Sequence, residues 1–255
     1  MKREVDVFLN SVALRDVDPK IIATYVEESA PEDALTESSV ARLPGRNVVF
    51  KKRTSLNVTI SFKVRELYNL NTRMDVINAV NRWAAKGGSL ALSYRPGQTL
   101  NVALIQPATP GNIRDYNAEF KLVFTSDGCP YFTDASAPNR QIAGSSVSTS
   151  FVLPGTAPSP VDAAIYFIKA ATYLNITVGH TSIRLSGLSL PAGAYATITH
   201  DDTGVADIVY GSVSLFPFLT DDSGDCLFTE GSVTDLSFDT DGDVEITFKS
   251  FGRYL

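Results

Sequence analysis

The chain has 255 residues, which is enough for one large domain or two modest ones. Hydrophobic residues make up 44% and charged residues 20%, and no apolar run approaches the roughly 18–20 residues of a membrane-spanning helix, so we expect a globular protein without a membrane segment. The net charge of −6 divides into +2 over residues 1–135 and −8 over residues 136–255. Without a strongly basic face, sequence-specific nucleic-acid binding is not indicated.

Strand patterns dominate the first half of the chain. In the run 55–67, Val58, Ile60, Phe62 and Val64 alternate with polar residues, which predicts an antiparallel strand with one buried face and one solvated face. The other predicted strands of this half are 5–10, 20–28, 47–53, 89–94, 98–107 and 118–126.

One segment, LNTRMDVINAVNRWAAKGG, has the period of an amphipathic helix. We predict a helix over about 71–86, capped by Asn71 or Thr72 and ended by the two glycines that follow it. The side chains predicted to pack on a sheet are Met74, Ile77, Val80, Trp83 and Ala84.

Residues 29–46 form a connection that is long for a compact sandwich, where roughly 2–6 residues are usual. The segment mixes charges with apolar residues, so it is interpreted either as a hairpin arm that contacts a partner or as a surface loop. The candidate interface residues are Leu35, Val40, Leu43 and Arg46.

The small, polar, proline-bearing stretch ASAPNRQ predicts a domain junction, with domains at 1–138 and 139–255. Strand-like runs recur at about ten-residue spacing through the second half, separated by Gly, Pro, Asp and Ser. This spacing favours a second β-sandwich.

Catalytic and metal-binding patterns are not found. The sequence lacks the nucleophile elbow, the zinc-protease helix and the phosphate-binding loops, and His200 beside Asp201 has no marked nucleophile. Cys129, Cys226, His180 and His200 are too few for a disulfide framework or a zinc cluster. We therefore expect no enzyme, no cofactor and no metal site.

The charged N-terminus has no apolar core behind it, so we also expect no secretory signal and synthesis in a cytoplasm.

Three aspartates, Asp239, Asp241 and Asp243, stand at alternate positions near the C-terminus. A calcium loop starting at Asp239 would need Gly at its sixth position and Glu at its twelfth, where this chain has Val244 and Ser250. The Asp-Gly pair between two alternating runs instead predicts a hairpin turn.

Five segments follow one another in a particular order: VFLNSVAL, LPGRNVVFKKRTSLNVTISFKV, MDVINAVNRWAAKGGSLALSY, FKLVFTSDGCPYFTD and LFTEGSVTDLSFDTDGDVEITFKSFGRYL. In this order the chain resembles, over essentially its full length, the distal tail proteins of long-tailed, non-contractile bacteriophages. It departs from the family pattern at Gly128-Cys129 before Pro130, and at residues 230–232, where Glu-Gly-Ser replaces the usual Pro-Gly-Asn.

The resemblance implies a mainly β fold with two β-sandwich domains, the first bearing one helix and a protruding hairpin arm, the second galectin-like. It implies a structural virion protein, made in the host cytoplasm and placed at the tail tip. Six copies would form a ring around a channel through which DNA passes, with the arm at 29–46 embracing the neighbouring subunit. The expected partners are the tail tube protein and the baseplate hub or tail fibre protein, with a receptor-binding protein as a further candidate. The alternative function is a carbohydrate-binding module for attachment to the host cell surface.

Overall fold

The computed structural model describes residues 5–29, 33–38, 47–65, 69–109, 118–152, 155–201, 204–229 and 233–254. It divides the chain into two compact units after Phe132, several residues before the predicted junction at 138/139. The predicted fold class is confirmed: the protein is mainly β, with two antiparallel β-sandwich units and one substantial helix.

An antiparallel sheet forms most of the first unit, with strand order β2-β1-β7-β8-β9-β6-β3. Its strands and the separate pair β4–β5 are β1 (Val7–Leu9), β2 (Val12–Ala13), β3 (Ile21–Ser29), β4 (Asp33–Ser38), β5 (Asn47–Arg53), β6 (Asn57–Val64), β7 (Gly88–Leu92), β8 (Gln98–Gln106) and β9 (Phe120–Ser126). As predicted from the alternation, Val58, Ile60, Phe62 and Val64 are all buried.

The long helix is α2 (Leu70–Ala84), and a single turn, α1 (Leu14–Val17), precedes it in the chain. The predicted caps, Asn71 and Thr72, are wrong: the side chain of Asn69 caps α2 by accepting hydrogen bonds from the Asn71 and Thr72 amides at 3.0 and 3.2 Å. The buried face includes Trp83, whose ring meets Phe124 edge-on with centroids 6.4 Å apart.

The turn between β1 and β2 is tied to the end of α2. Asn10 adopts a left-handed backbone, and its side chain donates to the Gly87 carbonyl at 2.8 Å and accepts from the Ser89 amide at 3.0 Å. Gly88 has φ of +106°, and a Cβ there would lie 2.4 Å from the Asn10 carboxamide oxygen. Asn10 and Gly88, which lie in separate segments of the resemblance, thus belong to one contact.

The remaining strands are β10 (Phe132–Asp134), which begins at the boundary, β11 (Asn139–Val152), β12 (Asp162–Lys169), β13 (Ala171–Val178), β14 (Thr181–Leu190), β15 (Tyr195–His200), β16 (Ala206–Tyr210), β17 (Val213–Ser214), β18 (Val233–Lys249) and β19 (Arg253–Tyr254). A second antiparallel sheet, in the order β14-β13-β18-β12-β15-β16-β17 with β11 also paired to β18, builds the second unit. Its core draws alternate residues from these strands, for example Ile165, Ile176, Ile198 and Ile246. A 3₁₀ turn lies at Phe216–Phe218.

The hairpin predicted at the aspartate run is wrong, because β18 continues through it as one strand. The residues before the run pair with β13, ending at Leu174 opposite Thr240, and the residues after it pair with β12, starting at Lys169 opposite Asp243. The aspartate run therefore lies where the strand that pairs with β18 changes from β13 to β12. A local turn signal cannot reveal such an exchange, since it depends on strands distant in sequence.

Each aspartate of the run contacts the adjoining ends of β12 and β13. The Asp241 carboxylate accepts from the Thr172 amide at 2.8 Å and from the Thr172 hydroxyl at 2.6 Å. Asp239 accepts from the Tyr173 hydroxyl at 3.1 Å, and Asp243 lies 3.5 Å from the Lys169 ammonium. These carboxylates are therefore partners of the two strand ends beside them.

Candidate functional site

The segment predicted as an arm, residues 29–46, contains β4, the first strand of a two-stranded ribbon whose second strand, β5, directly follows that segment. Strands β4 and β5 pair antiparallel from Asp33 opposite Arg53 to Ser38 opposite Asn47, and within the described residues they pair only with each other. The ribbon connects the end of β3 to the start of β6, two strands that themselves pair. An isolated two-stranded ribbon is marginally stable in water, so this one would gain stability from a partner surface.

Of the predicted interface residues, Leu35 lies on β4 opposite Lys51. Val40, Leu43 and Arg46 lie outside the described residues. Their role in subunit contacts stays a prediction.

A polar cluster anchors the root of the ribbon. Glu28, near the end of β3, accepts from the Arg95 guanidinium at 2.7 and 3.2 Å and also from the Tyr94 hydroxyl. Arg95 in turn stacks on the Phe132 ring, with 4.5 Å between the guanidinium carbon and the ring centroid. Because the charged side chains are mostly shielded from solvent, this two-pronged pair is stronger than an ordinary surface ion pair.

Partial burial, followed by the hydrogen bond to Glu28, raises the pKa of Tyr94 well above its usual value. Tyr94 therefore stays a neutral donor and keeps the turn between β7 and β8 attached to β3. The cluster was missed by sequence reasoning, because Glu28 and Arg95 are 67 residues apart and neither belongs to a motif.

The first unit also exposes several large apolar or aromatic side chains. Tyr25 is 56% exposed on β3, which pairs only with β6 among the described strands. The edge beside the ribbon root therefore offers both unpaired main-chain groups and an aromatic side chain. The other exposed members are Val12, Leu70, Tyr94 and Ile105.

His200 is a structural residue in the second unit. Its ring faces Asp162, at 3.1 Å from Nδ1, rather than the acids that follow it in sequence, and its Nε2 accepts from the Leu227 amide at 3.1 Å. An amide can only donate, so Nε2 carries no proton, and Nδ1 donates to the carboxylate. Since the basic nitrogen is already used and the side chain is fully buried, this geometry does not present a catalytic base to a substrate.

Neither cysteine forms a disulfide, and both are partly buried. Burial, with a smaller contribution from Asp225, raises the pKa of Cys226 to about 11, which keeps the thiol protonated at neutral pH.

Within the described ranges, no three His, Cys, Asp or Glu side chains are arranged to hold a metal ion. No helix in the part of the chain that the structure describes is long and apolar enough to cross a membrane.

Comparison with known proteins places the fold. No protein-family model and no curated protein sequence matches the chain. A solved structure does: the Dit (distal tail) protein of phage SPP1, described as a paradigm of the hub adsorption apparatus in phages infecting Gram-positive bacteria. The match covers 98% of this chain and 99% of that one, with a TM-score of 0.68 and 13% sequence identity.

The chain has the distal tail protein fold. Because the match covers 98% of the chain, the likeness extends over both units. A chain of the phage P2 baseplate in its activated conformation with calcium also aligns, over 99% of this chain and 98% of that one, at 10% identity and a TM-score of 0.39.

Proposed function

We propose that the protein is a structural component of a phage tail tip: a distal tail adaptor whose copies assemble into a ring, with six as the expected number. The observation that carries the proposal is the shared fold over essentially the whole of both chains, because a chance likeness would not extend through two successive domains. The sequence resemblance supports the same function, and it rests on the order of five segments along the chain rather than on the fold.

The β4–β5 ribbon supports an assembly role on physical grounds. A ribbon that pairs with no other described strand is expected to be ordered by contact with another surface. Its root is held by the cluster of Glu28, Tyr94 and Arg95, so the ribbon leaves the sheet from a fixed point. Such an element is suited to grip an identical neighbour, since each subunit of a ring can offer the same arm to the next.

In this proposal the ring joins the tail tube protein to the baseplate hub or tail fibre protein and lets DNA pass through its lumen without reading its sequence. The protein acts by assembly and needs no catalytic chemistry. The near balance of basic and acidic residues over 1–135 is suited to a passage that does not retain DNA.

The experiment is negative-stain imaging of the purified protein, with mass measured by light scattering, both alone and co-expressed with the tail tube protein of the same phage. Rings with a central hole are expected in at least one preparation. If neither preparation contains rings, the proposal is wrong.

The matched variant replaces residues 30–53 by Asn-Gly. Ser29 and Asn57 are directly paired, so a short connection can close between them, and buried Leu56 stays in place. We expect this variant to fold but to lose the rings. The control, Val205→Ser, changes an exposed residue of the second unit and should leave the rings intact. Rings that survive removal of the ribbon would show that it is not the subunit contact.

A further inference from the structure

Two tyrosines of the second unit stand side by side on the outer face of its sheet. Tyr166 on β12 and Tyr195 on β15 are direct partners in the strand register, so their side chains project from the same face with Cβ atoms about 5 Å apart. They are 44% and 54% exposed, whereas Ile165 and Ala196 beside them point into the core. The face therefore displays a pair of aromatic rings that the core does not use.

Most residues around this pair are small or can form hydrogen bonds, while Ile168, two residues after Tyr166, adds an exposed apolar side chain to the same face. In the same row of the sheet, Glu245 lies opposite Tyr166, and Ala143 lies opposite Glu245. We call this surface the tyrosine face; it consists of that row and of the next row, Gln141, Thr247, Ala164, Thr197 and Val209.

An open groove of about 460 Å³ borders the tyrosine face on the Tyr195 side. Two turns with glycines at positive φ, Gly193 and Gly211, form part of its lining, and a Cβ at either would meet nothing within 4 Å. The groove thus has room beside exposed main chain. The other lining residues, Ala194, Thr197, Val209 and Tyr210, are uncharged, as are the two glycines and Tyr195.

This chemistry fits a neutral sugar. A pyranose ring has one face of C–H groups that packs against an aromatic ring, and a rim of hydroxyls that bond to amide, hydroxyl, carboxylate and main-chain groups. The groove volume lies within the roughly 300–1,000 Å³ usual for small-ligand sites and would hold two or three sugar units. A protein partner would instead be expected to cover about 800 Å² with a wider apolar centre.

We propose that the tyrosine face and its groove bind a neutral oligosaccharide, with Tyr166 and Tyr195 as the stacking platform and Glu245 as a hydroxyl acceptor. No charged side chain is found among the described residues that line the groove, which favours neutral sugars, and the Glu245 carboxylate disfavours acidic ones. The inference needs nothing from the ring proposal, since every residue in it belongs to the second unit.

The test is calorimetric titration of the full-length protein with neutral di- to tetrasaccharides of glucose, galactose and N-acetylglucosamine, up to about 10 mM, a range that covers millimolar dissociation constants. Trigalacturonic acid is the acidic comparison. At least one neutral probe is expected to bind, and the acidic probe more weakly. Tyr166→Ala and Tyr195→Ala should each lower the affinity about tenfold, because each removes a stacking surface.

Two further variants make the result specific. Tyr166→Phe keeps the ring and should retain binding, whereas Tyr25→Ala removes a similarly exposed tyrosine from the first unit and should change nothing. Since the mutated side chains are about half exposed and lie outside the buried core, the variants should keep the circular dichroism spectrum of the parent protein. The inference is wrong if no neutral probe binds the parent protein, or if binding survives both alanine substitutions. It is also wrong if the tyrosine face proves instead to bind a tail protein and no sugar.

Discussion

Replacing Gly242 by alanine tests the account of β18 as a single strand that exchanges neighbours. A Cβ at this position would lie 2.8 Å from the Ala170 carbonyl oxygen, 3.0 Å from the Ala171 methyl and 3.1 Å from the Lys169 carbonyl oxygen. Two of these three atoms belong to the main chain, which cannot swing away as a long side chain can. In an isolated Asp-Gly hairpin turn, no such neighbour would crowd the glycine.

The expected decrease in the free energy of unfolding follows from these distances. Overpacking of this kind typically destabilises by about 1–3 kcal/mol, while alanine stabilises by restricting the unfolded chain, by about 0.4–1 kcal/mol. The net loss is about 1.5 kcal/mol. For a unit of roughly 120 residues, an unfolding entropy of about 2.1 cal/mol/K per residue converts this loss to a decrease in Tm of about 6 °C.

The single tryptophan makes the assay selective. Trp83 lies in α2, so its fluorescence reports the first unit, whereas far-ultraviolet circular dichroism reports both. In Gly242→Ala we expect the transition of the second unit to shift while the fluorescence transition stays in place.

The control is Asp243→Ala, which removes only a largely exposed ion pair with Lys169 and should change stability by about 0.5 kcal/mol or less. If Gly242→Ala is as stable as this control, the crowding of Gly242 by the β12–β13 connection is not real and the turn interpretation returns.

Two other predictions concern charged groups. Glu28→Gln should destabilise the first unit by about 1–2 kcal/mol, because Arg95 loses its charged partner in a largely shielded site. The measurement is urea unfolding followed by Trp83 fluorescence. An unchanged midpoint would show that the pair of Glu28 and Arg95 does not stabilise this unit. The hydrogen bonds from Thr172 lower the pKa of Asp241 in the folded protein, so the unfolded chain takes up the proton more readily. The contribution of Asp241 to the stability of the second unit should therefore be present above about pH 4 and be lost as the pH decreases through the folded pKa. Asp241→Asn should flatten this dependence in urea titrations between pH 2.5 and 6, and an equally steep profile in the variant would assign it to other groups.

The sequence was informative wherever one periodic segment decides the structure. The alternation in β6 identifies the buried face without knowledge of any partner. The stripe on α2 does so in part: Ile77, Val80, Trp83 and Ala84 are buried as predicted, whereas Met74 is only partly buried and Arg73 and Val76 are buried instead. The helix cap was misplaced because Asn69, Asn71 and Thr72 are all good capping residues within one turn. Only the backbone geometry distinguishes them.

The remaining contacts depend on register between distant strands. His200 was considered with Asp201, its neighbour in sequence, but its partner is Asp162, 38 residues earlier. Likewise, only the pairing of β12 with β15 brings Tyr166 and Tyr195 together. Period-two patterns indicate which face a side chain occupies, but they do not indicate which strand lies beside it.

Two positions show constraints on this backbone that do not depend on the volume of core side chains. Asn10, in the turn between β1 and β2, and Gly242, beside the β12–β13 connection, each occupy a position where another residue would clash or lose a main-chain bond. The core, by contrast, is built from Val, Ile, Leu and Phe, which can replace one another at modest cost when volume is kept. A fold specified in this way can be shared by chains that are almost unrelated in sequence. This accounts for a whole-chain structural likeness to a phage distal tail protein in the absence of any matching sequence family.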